Sequence, residues 1–436
     1  MKFSKYNFIE TIPEGLIVFN PKISSFIKLT KSSVIEHFLE IQKQLELDVS
    51  DELVAYLYKT GYIVEDDRDE YAEVRAMIES RCDKSAKYLT LLLYVTEQCN
   101  FRCIYCPEDH VNKRFSEENW DSLYRHIEKN VRNGQYEFVR ISFFGGEPLL
   151  EISSILKFLD RLELLKNEYP EVVFKHEMTT NGYLLTPEIY NKLTRYDVKH
   201  YQITIDGFAD VHNKTRPLVN GGGTWERIIE NLKYINTKDD NVTINFRANI
   251  SPLNQDSIQE FMDWSMQTFD NKKFTFSAET VIANTENVPE ELATDYQSKE
   301  YQEIDTFMNH SNRGFSKEEV KPLKLLGFSC RYATKNFYTI TTDGYISKCG
   351  EAAFGLTEVV GKLLPDGDFE FFDNYIDWTE GFEIEACKDC NVYPLCGARS
   401  CLYKKVHSDE QGRMDCSFMQ EHKQMIGKYI RDGLLG

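Results

Sequence analysis

Apolar and polar positions follow two different rhythms along this chain, and the change falls near residue 87. Before it, Gly15–Asn20 and Ser24–Leu29 read as two short strands turning around Asn20-Pro21-Lys22. Ser33 and Glu36 have capping-box spacing, and Val34, Ile35, Phe38 and Leu39 then fall on one side of a helix. A second helix is predicted after Ser50, carrying Leu53, Val54 and Leu57 and stopping at Gly61. Tyr62–Val64 reads as a short strand, and the acidic run Glu65–Glu70 as a solvated loop leading into a helix. Residues 1–86 are therefore expected to form a small α+β unit.

After residue 87 the pattern becomes strand, loop, helix, repeated. The predicted strands are Leu89–Val95, Phe138–Phe144, Val172–Met178, His200–Ile205, Val242–Ile250 and Phe274–Phe276. Polar helical stretches separate most of them, which predicts an α/β fold with a parallel sheet, closed or partly closed. In such folds the chemistry sits on loops leaving the C-terminal strand ends. Residues 87–284 form this core, 285–328 a polar bridge and 329–436 a cysteine-rich segment.

Composition narrows the function. With 51 basic and 70 acidic side chains the net charge is −19, which argues against a nucleic-acid backbone as the main partner. Eleven cysteines cannot all pair internally. The N-terminus has no signal-peptide pattern, and the apolar run Leu89–Val95 is too short to span a bilayer. A cytoplasmic chain with reduced thiols is expected, so clustered cysteines point to metal or redox chemistry.

The first cluster follows the first core strand: Cys99, Cys103 and Cys106, spaced C-x3-C-x2-C. Three thiolates can hold three irons of a [4Fe–4S] cube and leave the fourth iron open to a small ligand. Zinc would need a further ligand, for which His110 is placed. Other strand ends carry Gly145-Gly146-Glu147-Pro148, Thr179-Thr180-Asn181-Gly182, and Asp206-Gly207 with His212 and Arg216 beyond. Paired glycines permit close backbone approach to a ligand. The Glu147 carboxylate suits an ammonium group, the threonine–asparagine loop suits ribose hydroxyls, and Arg216 suits a ligand carboxylate.

Together these residues resemble the radical S-adenosylmethionine (SAM) superfamily. The C-x3-C-x-Φ-C motif matches at Cys99, Cys103, Tyr105 and Cys106, and the glycine-rich motif at Gly145, Gly146, Glu147 and Pro148. The resemblance implies a partial (β/α)6 TIM-like barrel whose open iron chelates SAM. Tyr105, Thr179, Asn181, Asp206 and Arg216 would join the glycine motif around it. The reduced cluster would cleave SAM to a 5′-deoxyadenosyl radical that removes a hydrogen atom from substrate.

The C-terminal cysteines resemble the SPASM domain appended to peptide-modifying radical SAM enzymes. Cys330, Gly344 and Cys349 form C-x13-G-x4-C, followed by Cys387, Cys390, Cys396, Cys401 and Cys416. Four residues separate Cys396 from Cys401 where that pattern has three. The resemblance implies two auxiliary clusters, three [4Fe–4S] clusters in all. Cys387, Cys390, Cys396 and Cys416 would hold the distal one, and Cys330, Cys349 and Cys401 the nearer one, with an open site or a non-cysteine ligand. Glu351, two residues past Cys349, is a candidate base, while structural zinc is the plainer reading of the same cysteines. Cys82 is left over as an ordinary thiol.

Residues 1–86 are similar in element order to the winged-helix-like PqqD domain, which binds a leader peptide as an added strand. The whole order resembles a ribosomal-peptide maturase of the streptide-maturase type. It implies a precursor peptide as substrate, a carbon–carbon cross-link of Lys–Trp type, and flavodoxin or ferredoxin as electron donor. The alternatives are a thioether-forming maturase, an anaerobic sulfatase-maturating enzyme that makes formylglycine, and a zinc-binding adaptor.

Overall fold

The computed structural model describes residues 1–270, 272–281, 288–292, 326, 330–350, 358–379, 385–398, 406 and 426. Its contacts divide the chain into two discontinuous units. Residues 1–86, 319–335 and 376–436 make one; residues 87–318 and 336–375 make the other. This grouping differs from consecutive division at 284 and 328, because residues 336–375 supply strands to the sheet of the core.

In the first unit β1 (Lys2–Phe3) pairs with β5 (Ile63–Val64), and β2 (Phe8–Ile12), β3 (Gly15–Asn20) and β4 (Ser25–Leu29) form an antiparallel sheet with β3 central. Strand β3 is buried almost throughout because both its faces are covered. Leu16 and Val18 pack with Phe38 of α1 (Ser32–Ile41), Val54 and Leu57 of α2 (Glu52–Thr60), and Tyr62 and Ile63. Ile17 and Phe19 pack with Val392, Leu395 and Cys396.

Two local expectations are corrected. Helix α1 starts at Ser32 on Lys31, with no side-chain cap, because Val34 N and Ile35 N both donate to the Lys31 carbonyl and draw Ser33 into the first turn. The N-cap of α2 is Asp51, which accepts from Leu53 N and Val54 N, while Ser50 turns back to Asp48. Gly61 ends α2 as predicted, at φ 88°, where a side chain would be strained. The acidic run is only partly solvated. Glu70, first residue of α3 (Glu70–Ser85), is buried and accepts from Ser4 Oγ at 2.6 Å and Lys5 N at 3.0 Å, with Lys22 Nζ at 3.6 Å. Cys82 packs with Tyr6, Val74 and Ile78.

The second unit is built on a ten-stranded sheet. Strands β6 (Tyr88–Thr96), β7 (Phe138–Gly145), β8 (Val173–Thr180), β9 (Val198–Thr204), β10 (Thr243–Ile250) and β11 (Phe274–Thr280) lie side by side in chain order, all parallel. All six predicted strands are present. Beyond β6 the sheet continues through parallel β12 (Phe337–Ile340) and antiparallel β13 (Tyr345–Ser347), β14 (Val359–Leu363) and β15 (Phe369–Phe371). No sequence period announced that extension, because short strands between cysteine loops leave little room for one.

Helices α4 (Glu117–Arg132), α5 (Ile152–Glu168), α6 (Pro187–Thr194), α7 (Ala209–Thr215), α8 (Trp225–Asn236) and α9 (Ile258–Thr268) connect the parallel strands. Sheet alternation is strict: Ile244, Phe246, Ala248 and Ile250 of β10 are buried, while Thr243, Asn245, Arg247 and Asn249 between them are not. Phe246 meets Phe269 and Phe274 at 5.2 Å, and Phe276 faces Phe261 of α9. One face therefore carries the helices and the apolar core, and the other carries polar side chains. Among the described residues no helix is long and apolar enough to cross a membrane.

Candidate cluster and cofactor site

The three-cysteine loop is tied down at both ends. At its base Phe115 N donates to Val95 O and Glu97 N to Lys113 O, and the Thr96 hydroxyl also reaches Lys113 O. Further along, Arg102 N donates to Pro217 O at 2.9 Å, Ile104 N to Thr215 O at 3.0 Å, and Val219 N to Asn100 O at 3.0 Å. The segment after α7 thus holds the loop as an added strand would.

Burial pushes the thiols up, Cys99 to about 12 and Cys103 and Cys106 to about 11. Such thiols become thiolates only against a compensating cation, which is how metal binding works at coordinating cysteines. The nine described cysteines form no disulfide.

At Gly145 and Gly146 the neighbouring backbone leaves no room for a side chain. A Cβ on Gly145 would lie 2.2 Å from Thr96 O, and one on Gly146 would lie 2.3 Å from Gln98 O. Gly146 N donates to Thr96 O and Glu147 N to Gln98 O, so β7 ends pressed against the cysteine loop. Glu147 is fully buried, and its carboxylate accepts from Leu149 N at 2.9 Å, Thr180 Oγ1 at 2.7 Å and Asn181 N at 2.8 Å. Burial raises its pKa and those three donors oppose the rise. The side chain is a knot between two strand ends. Pro148 is buried in the turn that follows.

Asn181 reaches from β8 to the cysteine loop, donating to Asn100 Oδ1 at 2.8 Å with Cys99 Sγ at 3.9 Å. Thr180, not Thr179, joins the Glu147 knot; Thr179 lies on the opposite, polar face of β8.

A second knot centres on Asp206, fully buried after β9. It accepts from the Tyr105 hydroxyl at 2.5 Å, the Thr215 hydroxyl at 3.0 Å and Asn249 N at 3.0 Å. Arg216 Nη1 donates to the Tyr105 hydroxyl at 2.7 Å. Asp206 N donates to Nδ1 of buried His212, and burial holds that imidazole neutral, well below its usual range. Asn254, in the loop after β10, donates to the carbonyls of Asp206 and Asn249. Thr215, Asn249 and Asn254 were not singled out from sequence. Their only signal is a polar residue just beyond a predicted strand or helix.

Three buried donors at these knots have no partner among the described residues: Asn100 Nδ2, Arg216 Nε and His212 Nε2, which carries the imidazole proton because Nδ1 accepts. Unpaired buried donors are costly unless a ligand supplies the acceptor. They and the buried thiols fit an iron–sulfur cluster with an anionic ligand, with Cys99, Cys103 and Cys106 holding the metal and Arg216 facing a carboxylate. The zinc alternative also has geometry: Cys106, Glu108 and His110 each bring a donor atom within 4.8 Å of the others. Burial, with Glu97 nearby, pushes Glu108 up to about 7.

Of the C-terminal cysteines, Cys387 and Cys390 form a knuckle closed by Cys390 N to Cys387 O at 3.3 Å, and Cys396 ends a short helix, Tyr393–Cys396, before left-handed Gly397. Cys330 opens a 3-10 turn. Cys349 is buried just past β13, with Ser347 Oγ bonded to its backbone. Glu351, Cys401 and Cys416 lie outside the described residues.

Residues 93–265 match the family model described as the radical SAM superfamily. A cysteine-type anaerobic sulfatase-maturating enzyme of Clostridium novyi (strain NT) is 23% identical over 373 residues, 79% of this chain and 96% of that enzyme. The radical SAM cyclopropyl synthase TigE of Paramaledivibacter caminithermalis is 22% identical over 55% of this chain; the match spans 51% of TigE, about half its length. Among solved structures, native anSMEcpe with bound AdoMet and Cp18Cys peptide superposes with a TM-score of 0.57 at 16% identity, over 79% of this chain and 97% of that one. Streptococcus suis SuiB superposes at 0.50 and 16% identity, over 94% and 97%. At that identity the likeness shows a shared fold.

Proposed function

We propose that this chain, whose central segment is a radical SAM domain, modifies a ribosomally made precursor peptide by hydrogen-atom abstraction followed by oxidative cross-linking. The observation that carries the reading is the cysteine loop held by two buried knots, Glu147–Thr180–Asn181 and Tyr105–Asp206–Arg216, at successive strand ends. When bound, a [4Fe–4S] cluster and SAM supply a 5′-deoxyadenosyl radical. Cys99, Cys103 and Cys106 would hold the cluster. Arg216, buried with a free Nε, would orient the SAM carboxylate, and Asn181 would brace the loop beside Cys99. The fully buried Glu147 and Asp206 keep both anchors rigid and dry.

Peptide substrates are supported by the fold shared with anSMEcpe, solved with a peptide, and by the first unit. Its three-stranded sheet has β2 and β4 as edges, which suits strand addition by a leader peptide. Further clusters on the C-terminal cysteines would carry off the second electron that bond formation releases, and flavodoxin or ferredoxin would supply reducing electrons. A carbon–carbon link of Lys–Trp type is the preferred product, ahead of a thioether.

The second reading is sulfatase maturation, favoured by a relative matched over 96% of its length. Reconstituted protein, reductant, SAM and a candidate precursor peptide, such as any short one encoded beside the gene, incubated anaerobically, separate the two. Loss of two hydrogens from the peptide with 5′-deoxyadenosine formed supports cross-linking. An unchanged peptide, together with a cysteine converted to an aldehyde in a sulfatase-derived peptide, overturns it. Iron analysis disposes of the zinc adaptor: about four irons and four sulfides per cube are expected, against zinc without sulfide.

A further inference from the structure

The helix-free face of the sheet is polar across four strands. Directly paired positions on it are Thr179, Gln202, Asn245 and Thr275 in one row, and Thr204, Arg247 and Ser277 in the next. A parallel sheet covered by protein on both faces is apolar on both; this face is built for water or a polar ligand. The row is also preorganised, since Asn245 accepts from Ser277 Oγ at 2.7 Å and donates to Thr275 Oγ1 at 3.1 Å.

Arg247 is the charged member of its row. Its Nε meets only Asn249 Oδ1, at 3.4 Å, and it forms no ion pair among the described residues. Arg140, on the same face of β7, is by contrast paired with Glu177 at 3.2 Å. The in-register neighbours of Arg247, Thr204 and Ser277, are neutral, as are Asn245 and Asn249 along its strand; Glu279, opposite Asn249 on β11, is the diagonal acid on this face and forms no ion pair with Arg247. Asn249 is bonded to Asp206. Arg247 therefore lies two residues, about 7 Å, down the strand from the knot that holds the cysteine loop.

We propose that Arg247 is the anchor of a carboxylate subsite on this face, distinct from the carboxylate role given to Arg216. Its ligand is a substrate carboxylate, from an Asp or Glu side chain or from a chain terminus. A guanidinium with no ion pair among the described residues, flanked in register by neutral hydrogen-bonding side chains, matches a carboxylate in charge and in its two-pronged shape. The inference deepens the peptide reading and rests on it for the substrate, which it makes acidic near the reacting carbon.

The test is ligand-detected NMR under anaerobic conditions on reconstituted, SAM-loaded protein. The probes are N-acetyl-aspartate N-methylamide against its asparagine counterpart, and N-acetylglycine against N-acetylglycinamide. At least one acid should bind tenfold or more tighter than its amide, and which pair shows it identifies side chain or terminus. Arg247→Gln should abolish that preference at unchanged iron content and SAM affinity, and Arg247→Lys should restore part of it. Equal binding of acids and amides to the wild-type protein overturns the proposal, whatever the variants do. So does an acid preference that survives in Arg247→Gln or, should that variant not load iron, stays undiminished in Arg247→Lys. The readout needs no turnover, so it stands or falls separately from the peptide-modification assay.

Discussion

Gly146→Ala tests whether the glycine pair serves the backbone. The new methyl would lie 2.3 Å from Gln98 O, 2.7 Å from Gln98 C and 2.9 Å from Glu97 O, all main-chain atoms that no rotamer change can clear. Relief requires β7 and the cysteine loop to separate. That weakens the Gly146 N–Thr96 O and Glu147 N–Gln98 O hydrogen bonds, both 2.9 Å. Overpacking costs about 1–3 kcal/mol and each hydrogen bond about 1 kcal/mol, for a sum of roughly 3–5 kcal/mol. Gly134→Ala is the control. Gly134 has φ +67° and nothing within 4 Å of the position a methyl would take, so only backbone strain of about 1 kcal/mol applies. Thermal unfolding followed by circular dichroism should show a melting point lower by about 6 °C or more for Gly146→Ala, taking roughly 2–4 °C per kcal/mol. Iron bound on anaerobic reconstitution should fall with it, because the displaced loop carries Cys99, Cys103 and Cys106. If Gly146→Ala melts and loads iron like Gly134→Ala, the close-approach argument is wrong.

Three further outcomes follow from the same geometry. Tyr105→Phe removes the hydroxyl bonded to Asp206 and Arg216 and should cost about 1–3 kcal/mol; weaker SAM binding by calorimetry should accompany it, and unchanged SAM affinity and stability would refute the shared knot. Burial holds His126 and His176 down at about 4. A depressed folded pKa stabilises above the unfolded value near 6.5 and is lost as pH falls toward 4, by about 2 kcal/mol per histidine at pH 5; denaturant titrations at pH 7 and 5 on wild type and His176→Leu should show a smaller difference in the variant. Asp51→Ala should destabilise the first unit by about 1 kcal/mol while Ser50→Ala leaves it unchanged; the reverse order would refute the Asp51 cap.

The parallel core and the cysteine loop are legible in the order of residues alone. Alternation of apolar positions in strands such as Val242–Ile250 depends only on neighbours along the chain, as does the C-x3-C-x2-C spacing. The motif residues Glu147, Asn181, Asp206 and Arg216 were legible as candidates for the same reason. What each does was not. Glu147 and Asp206 look like ligand-binding carboxylates in sequence, but each is already satisfied by donors from other strands and loops. Thr180 and Thr179 are indistinguishable until the pleat sends one to the knot and the other to the polar face. The helix predicted after Ser50 is present, and its cap is Asp51 because two backbone donors converge on the aspartate. The attachment of β12 to β6, and the pairing of Arg140 with Glu177, bring together residues from different strands that no local period connects. Periodicity and spacing are local quantities. Whether a buried charge is spent within the protein or left for a ligand depends on which distant groups meet it, and that is a property of the folded chain.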